Sequence, residues 1–254
     1  MKILLLDIET SPTRAFVWGL FQEVQSTAFI ERDWYILCWA AKWLGDKSIH
    51  SSSLIDFSDY KVGHENDRKL LEKLWPLLDE ADIVIAHNGI SFDRKKIQAR
   101  FIMNGMKPPS PYRMIDTLLV CRNEFGFTSN KLGDVSKFLK VGQKVDTGGF
   151  QLWKDCLDGI KTAWRKMIMY CRTDILLLEK VYLALRPYIL LHPNVAMDAV
   201  KPCCPKCGSD NIHFRGYKYT NVSKFRQFVC LNSACGGWGR LRINEAKKVL
   251  TANA

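Results

Sequence analysis

The run Ile3-Leu4-Leu5-Leu6-Asp7-Ile8-Glu9 places the strongest constraint on the fold. Residues 2–8 show no polar alternation up to the first acid, which predicts a strand covered on both faces by other layers. The chain supplies the covering elements. Strands are expected over 34–43, 47–53, 82–86 and 114–119, the first two as a hairpin turning at Gly45-Asp46. Helices are expected over 67–78, 92–104, 131–139 and 163–185, the last stopped by Pro187. Leu70, Leu71, Leu74, Leu77 and Leu78 mark the apolar face of the first helix. Strands separated by helices point to the α/β class, a sheet flanked by helices.

The opening strand also carries chemistry. Asp7 and Glu9 stand two apart, so they share one face of the strand. Paired carboxylates at an apolar edge repel and lose hydration unless a cation joins them, and hard divalent ions suit oxygen ligands. Plain solvation at a strand end is the other reading. Tyr170 and Asp174 lie four apart on the long helix and share one face; an exposed acid beside a core phenol is the alternative. Between them comes Asn88-Gly89-Ile90-Ser91-Phe92-Asp93, with a glycine suited to a tight turn and Asp93 near a helix start. The helix dipole favours a carboxylate there, with or without a metal. Asp116, at the end of another predicted strand, reads first as structural, with a substrate contact or a supporting role in the site as the alternative.

Taken in order, the three segments resemble the three exonuclease motifs of the DEDD superfamily. Tyr170-Cys171-Arg172-Thr173-Asp174 matches the tyrosine-containing branch, and Asn88…Phe92-Asp93 is similar to the proofreading domains of family-B DNA polymerases. The resemblance covers roughly residues 1–190. It implies an RNase H-like mixed sheet flanked by helices, and metal-dependent removal of nucleotides from a 3′ end. Asp7, Glu9, Asp93 and Asp174 would then bind two Mg²⁺ or Mn²⁺ ions, and Tyr170 would hold the attacking water. Asn88 and Phe92 would shape the site, and the backbone of Thr10 would touch the terminal nucleotide. Single-stranded DNA is the expected substrate. The alternatives are RNA degraded by the same chemistry, or an inert nuclease fold serving as a nucleic-acid-binding adaptor.

Charge and cysteine divide the chain at one place. Ten Lys and Arg face Asp210 and Glu245 beyond residue 200, a surplus of eight within a total of +11. A bias of that kind attracts a polyanion. Of nine cysteines, Cys203, Cys204, Cys207, Cys230 and Cys235 crowd into the same tail. No secretory signal opens the chain, so a reducing cytoplasm is expected, and a metal explains the cluster better than disulfides. Cys204/Cys207 and Cys230/Cys235 form two close pairs 22 residues apart, each followed by a glycine, Gly208 or Gly236. The arrangement resembles a zinc ribbon holding one structural Zn²⁺ on four thiolates. Cys203 and His213 are alternative ligands, and an iron–sulfur cluster is the alternative cofactor. Arg215, Tyr217, Lys218, Lys224 and Arg226 interleave cations with aromatics between the pairs, a pattern suited to phosphates and bases. The expected organisation is an exonuclease domain over 1–190, a linker over 191–202 and the ribbon over 203–254. No stretch suits a membrane span, so no membrane partner is expected.

Overall fold

The computed structural model describes residues 1–19, 26–63 and 65–242. Residues 243–254 of the expected ribbon, with Glu245, Lys247 and Lys248 of its charge surplus, lie outside the described residues. The elements run in the order β1 (Ile3–Thr10), β2 (Arg14–Ala15), β3 (Ile30–Arg32), β4 (Ile36–Trp43), β5 (His50–Ser53) and α1 (Arg68–Glu80). There follow β6 (Ile83–Ala86), α2 (Asp93–Met103), β7 (Arg113–Asp116), α3 (Thr117–Glu124) and α4 (Leu132–Phe138). The chain continues with α5 (Gln151–Leu157), α6 (Lys161–Leu185), β8 (Ile212–Tyr219), β9 (Lys224–Cys230) and β10 (Trp238–Arg242).

The main sheet has the order β5-β4-β1-β6-β7. β1 runs antiparallel to β4 and parallel to β6, and β6 is parallel to β7. This is the mixed sheet flanked by helices of an RNase H-like fold. As its sequence predicts, β1 is covered on both sides, with Leu4, Leu5 and Leu6 almost inaccessible. The face bearing Ile8 and its neighbour Trp39 meets α1, where the Trp39 indole donates to the Leu70 carbonyl at 3.0 Å. The opposite face, bearing Asp7 and Glu9, meets α6 through Cys171, whose thiol lies 3.6 Å from the Asp7 carbonyl. Each fully buried Leu in such a core contributes about 1.5–3 kcal/mol.

Two local expectations change. The predicted strand over 114–119 ends at Asp116, because that carboxylate caps α3 by accepting from the backbone N–H groups of Leu118 and Leu119. Residues 117–119 therefore begin a helix. The left-handed backbone after β6 is at Asn88 (φ 70°), not at Gly89. Gly89 is required by space: a Cβ there would stand 2.4 Å from Ala86 Cβ and 2.7 Å from Met114 Cε. The short pair β2–β3 and the helix α5 had no counterpart among the predicted elements.

The cysteine-rich tail forms a separate sheet, β10-β9-β8, antiparallel throughout. It rests on the end of α6. Arg186, buried, donates to the Ala234 carbonyl at 2.7 Å, and the Lys206 ammonium meets the Pro187 carbonyl. The intervening segment is tied down as well, with Val195 N–H donating to the Pro205 carbonyl at 2.9 Å. Among the described residues, no helix is long and apolar enough to cross a membrane.

Candidate metal centres

The first centre lies where β1 outruns β6. Their pairing stops at Leu5 and Ile85, so the backbone beyond Leu5 is free of β6. Asp93, the first residue of α2, takes up that freedom: its Oδ1 accepts from Ile8 N–H at 3.2 Å. A register shift between Glu9 and Thr10 then ends the regular pairing with β4, a common device for re-aiming side chains beside a site. Opposite the two acids stand the small residues Ala40 and Cys38, which leave room on that face.

From the other side, α6 contributes Tyr170 and Asp174. Both lie on its buried stripe, which otherwise consists of Trp164, Met167, Cys171, Ile175, Leu178 and similar residues. A carboxylate on the apolar stripe of a core helix costs free energy unless it meets a partner. Asp174 Oδ2 is 2.8 Å from the Lys144 ammonium, but Oδ1 is buried and has no hydrogen-bond partner among the described residues. Asp7, Glu9 and Asp174 bring oxygens within 4.8 Å of one another. Asp93 stands outside that mutual group, directed at the β1 backbone, yet near enough for its charge to act on Asp7 and Glu9.

The electrostatics of the cluster follow from burial. Burial raises the Asp7 carboxyl well above its ordinary value, and the charges of Glu9, Asp93 and Asp174 add to the rise. Burial likewise pushes Glu9 up to about 8 and Asp93 up to about 7. Asp174 is also raised by burial, although Lys144 opposes the shift. Tyr170 is buried, and burial holds its phenol above its ordinary value, so it stays a hydrogen-bond donor at neutral pH. Desolvation favours the neutral Lys144, but Asp174 and Tyr170 outweigh it and keep the ammonium charged. Acids this costly to ionise together, with one orphaned oxygen, fit hard divalent cations that would favour their charged forms.

Sequence reasoning missed Lys144. It lies in a segment with no regular structure and no periodic pattern, so nothing in its neighbourhood pointed to the site. Besides capping α3, Asp116 accepts from Asn88 N–H at 2.9 Å and Ile90 N–H at 3.0 Å, which shapes the turn before Asp93. Asn88 lines a cleft of about 890 Å³ together with Asp7, Lys144 and Asp174, and Arg122 and Lys137 line its far wall. Phe92 caps α2 and lies 5.7 Å beneath the Lys96 ammonium. Thr10 sits half-buried just past the bulge.

The second centre is made of sulfur. Cys204, Cys207, Cys230 and Cys235 converge, with Sγ···Sγ separations of 3.8 Å for Cys204–Cys235 and 3.7 Å for Cys207–Cys230. Four thiolates around an ion at about 2.3 Å have tetrahedral edges of about 3.8 Å. The cluster is therefore compatible with a zinc ribbon. Cys203 and His213 are not part of it. Gly208 and Gly236, at positive φ, close the two turns.

The cations and aromatics between the cysteine pairs do not form one surface. A register shift between Phe214 and Tyr217 redistributes them. The Arg226 guanidinium stacks 3.9 Å from the Phe214 ring, and the Lys224 ammonium lies 4.0 Å over Tyr217, so these pairs satisfy one another. Lys218, opposite Phe225, belongs to the other face, and Arg215 is exposed beside the bulge.

The family described as RNase_H superfamily matches residues 44–186. The chain is 35% identical over 94 residues to the PolC-type DNA polymerase III of Ureaplasma parvum serovar 3, a match covering 35% of this chain and 6% of that protein. Its fold is similar to the family B DNA polymerase of the hyperthermophilic archaeon Pyrobaculum calidifontis, with a TM-score of 0.52 at 14% identity. That likeness covers 73% of this chain and 24% of the polymerase.

Proposed function

The chain belongs to the RNase H superfamily, and from that premise we propose that it is a two-metal-ion 3′→5′ exonuclease acting on single-stranded DNA. The observation that carries the reading is the convergence of carboxylate oxygens from Asp7, Glu9 and Asp174, with one Asp174 oxygen buried and without a hydrogen-bond partner among the described residues. Asp7 and Glu9 precede the matched segment 44–186, so their assignment rests on this geometry.

Asp7, Glu9, Asp93 and Asp174 would hold two Mg²⁺ or Mn²⁺ ions. When bound, such ions supply an activated water and stabilise charge on the phosphate and the departing 3′ oxygen. The chain's own residues do the rest. Tyr170, kept protonated by burial, orients the water through its hydroxyl. Lys144 offsets the negative charge of Asp174 and faces the same cleft, where it can meet a phosphate oxygen. Asp116 holds the Asn88–Ile90 turn so that Asp93 keeps its place against β1. Thr10, Asn88 and Phe92 border the terminal nucleotide.

The four-cysteine cluster holds one structural Zn²⁺ in this reading. A sheet of so few residues has little apolar core, and metal binding supplies its folding free energy. Beside the cleft it raises the local concentration of the strand between cuts.

The test is digestion of end-labelled DNA and RNA oligonucleotides, with and without Mg²⁺ or Mn²⁺, with products resolved by mass. Mononucleotides released from the 3′ end of DNA are expected, and the double variant Asp7→Ala/Glu9→Ala should lose at least about 10³-fold in rate while staying folded. Equal hydrolysis by that variant would remove the site. Faster release from RNA would transfer the reading to an exoribonuclease, and binding without release would transfer it to an adaptor.

A further inference from the structure

A row of aromatic rings leads from the carboxylate cleft to the ribbon. Phe138, at the end of α4, is 67% exposed and follows Lys137, which lines the cleft. Its ring lies 5.1 Å from Phe127, Phe127 stacks 5.0 Å from Phe125, and Phe125 lies 5.3 Å from Tyr188. Tyr188 is 60% exposed and forms one wall of a groove of about 690 Å³ between the end of α6 and the small sheet.

The opposite wall of that groove is cationic and aromatic. Strand register puts Lys218, Trp238 and Arg240 on one face of the small sheet, the face turned to Tyr188. Trp238 is substantially exposed, and the Arg240 guanidinium lies over the Phe225 ring, 4.4 Å from its centre. Among its described lining residues, Glu124 alone is acidic. Phe138, Tyr188 and Trp238 are the exposed rings of this path, with Phe125 and Phe127 half-buried between them; exposed rings with cations beside them are what a single strand requires, because bases stack on aromatics of any sequence and phosphates seek cations. Lys218 and Arg240 are the groove's exposed cations, and Lys206 is buried against the Pro187 carbonyl.

We propose that this ridge and groove form a track for single-stranded nucleic acid, running from the cleft past Phe138 and Tyr188 to Lys218, Trp238 and Arg240. The proposal rests on the nuclease reading only for what happens at its cleft end. Nucleotides remote from the 3′ terminus lie on the track, so strands too short to leave the cleft gain nothing from it.

The test is fluorescence anisotropy of labelled oligothymidylates of about 4 and about 16 nucleotides, which span the size range of single-strand sites, without added divalent cation. Tyr188→Ala/Trp238→Ala should weaken binding of the longer strand at least about tenfold, because two bases then have no ring to stack on, and leave the shorter strand unchanged. Lys218→Glu/Arg240→Glu should lower the salt dependence of the longer strand by about 0.7 in slope for each phosphate that is no longer neutralised. Unchanged affinity for the longer strand overturns the track and leaves the ridge to a protein partner. An equal loss for both lengths overturns it too. Zinc content reports whether each variant keeps its ribbon. Photo-crosslinking of wild-type protein to a 4-thiothymidine placed far from the 3′ end gives an independent answer: adducts on the ridge or in the groove, at Phe138, Tyr188, Lys218, Trp238 or Arg240, support the track, and adducts away from both overturn it. None of these readouts needs hydrolysis. A chain that binds this way but cuts nothing refutes the nuclease and keeps the track; one that cuts but is indifferent to these variants does the reverse.

Discussion

The carboxylate cleft and the cysteine cluster solve opposite problems. The cleft gathers acids from β1, α2 and α6, elements far apart in sequence, and a large apolar core forces them together whether or not a cation is present. The ribbon gathers ligands from two local turns, and its buried cluster contains little besides the cysteines themselves. In the proposed reading, the fold creates the metal site in the first region, and in the second the metal would create the fold. Removing metal should therefore spare one and destroy the other.

The largest expected effect tests that asymmetry on the ribbon side. Cys204→Ser should abolish zinc retention and make the chain beyond residue 200 sensitive to protease, because structural zinc contributes on the order of 10 kcal/mol to such small modules. The core of the main sheet should melt as before. A variant that keeps one zinc per chain would show that the four-sulfur assignment is wrong.

A smaller effect, with the opposite sign of pH dependence, belongs to the cleft. Asp7, Glu9 and Asp93 hold their protons more tightly in the folded state than in the unfolded chain. Between about pH 4 and pH 8 the unfolded chain loses those protons first, so the folded state without divalent ions loses stability as pH rises, by a few kcal/mol across the window. Divalent cations should reverse the trend, and the rise in Tm produced by Mg²⁺ should be larger at pH 8 than at pH 5.5. The ribbon should do the contrary, since its thiols must lose protons to bind metal and acid releases it. Thermal unfolding followed separately for the two regions, with and without Mg²⁺, checks both signs. A Tm gain independent of pH would break the contrast.

The smallest effect sharpens the role of Lys144, the cation of the cleft that is ion-paired with Asp174. Lys144→Ala should lower stability by about 1 kcal/mol without divalent ions, a modest figure because its side chain is 37% exposed and partly screened. The difference should vanish in saturating Mg²⁺, which would neutralise Asp174 in its place. Denaturant titrations under the two conditions provide the measurement, and an equal loss in both would assign Lys144 a purely structural contact.

What was legible in the sequence was periodic or local. The uninterrupted run of β1, the two-residue spacing of Asp7 and Glu9, the helical spacing of Tyr170 and Asp174 and the paired cysteines each carry their geometry in their numbering. What was hidden depends on contacts between distant segments. Lys144 reaches Asp174 from an irregular stretch, and Asp116 gives its carboxylate to backbone N–H groups on two different segments. The pleat of β8 sends Lys218 to one face and Tyr217 to the other, and the bulge before Tyr217 brings Phe214 to the face of Tyr217, although all three sit in a pattern that reads as one basic aromatic patch. The strand expected over 114–119 failed for a related reason: apolar residues after Asp116 suit either element, and the cap decides.

α6 gives these regions a shared geometry. The helix carries Asp174 near its middle and ends where Arg186 grips the backbone of the second cysteine turn. At about 1.5 Å per residue, those two points stand about 18 Å apart along a continuous shaft. A ligand held at one end would thus be kept at a set span from the acids at the other, as by the arms of a caliper.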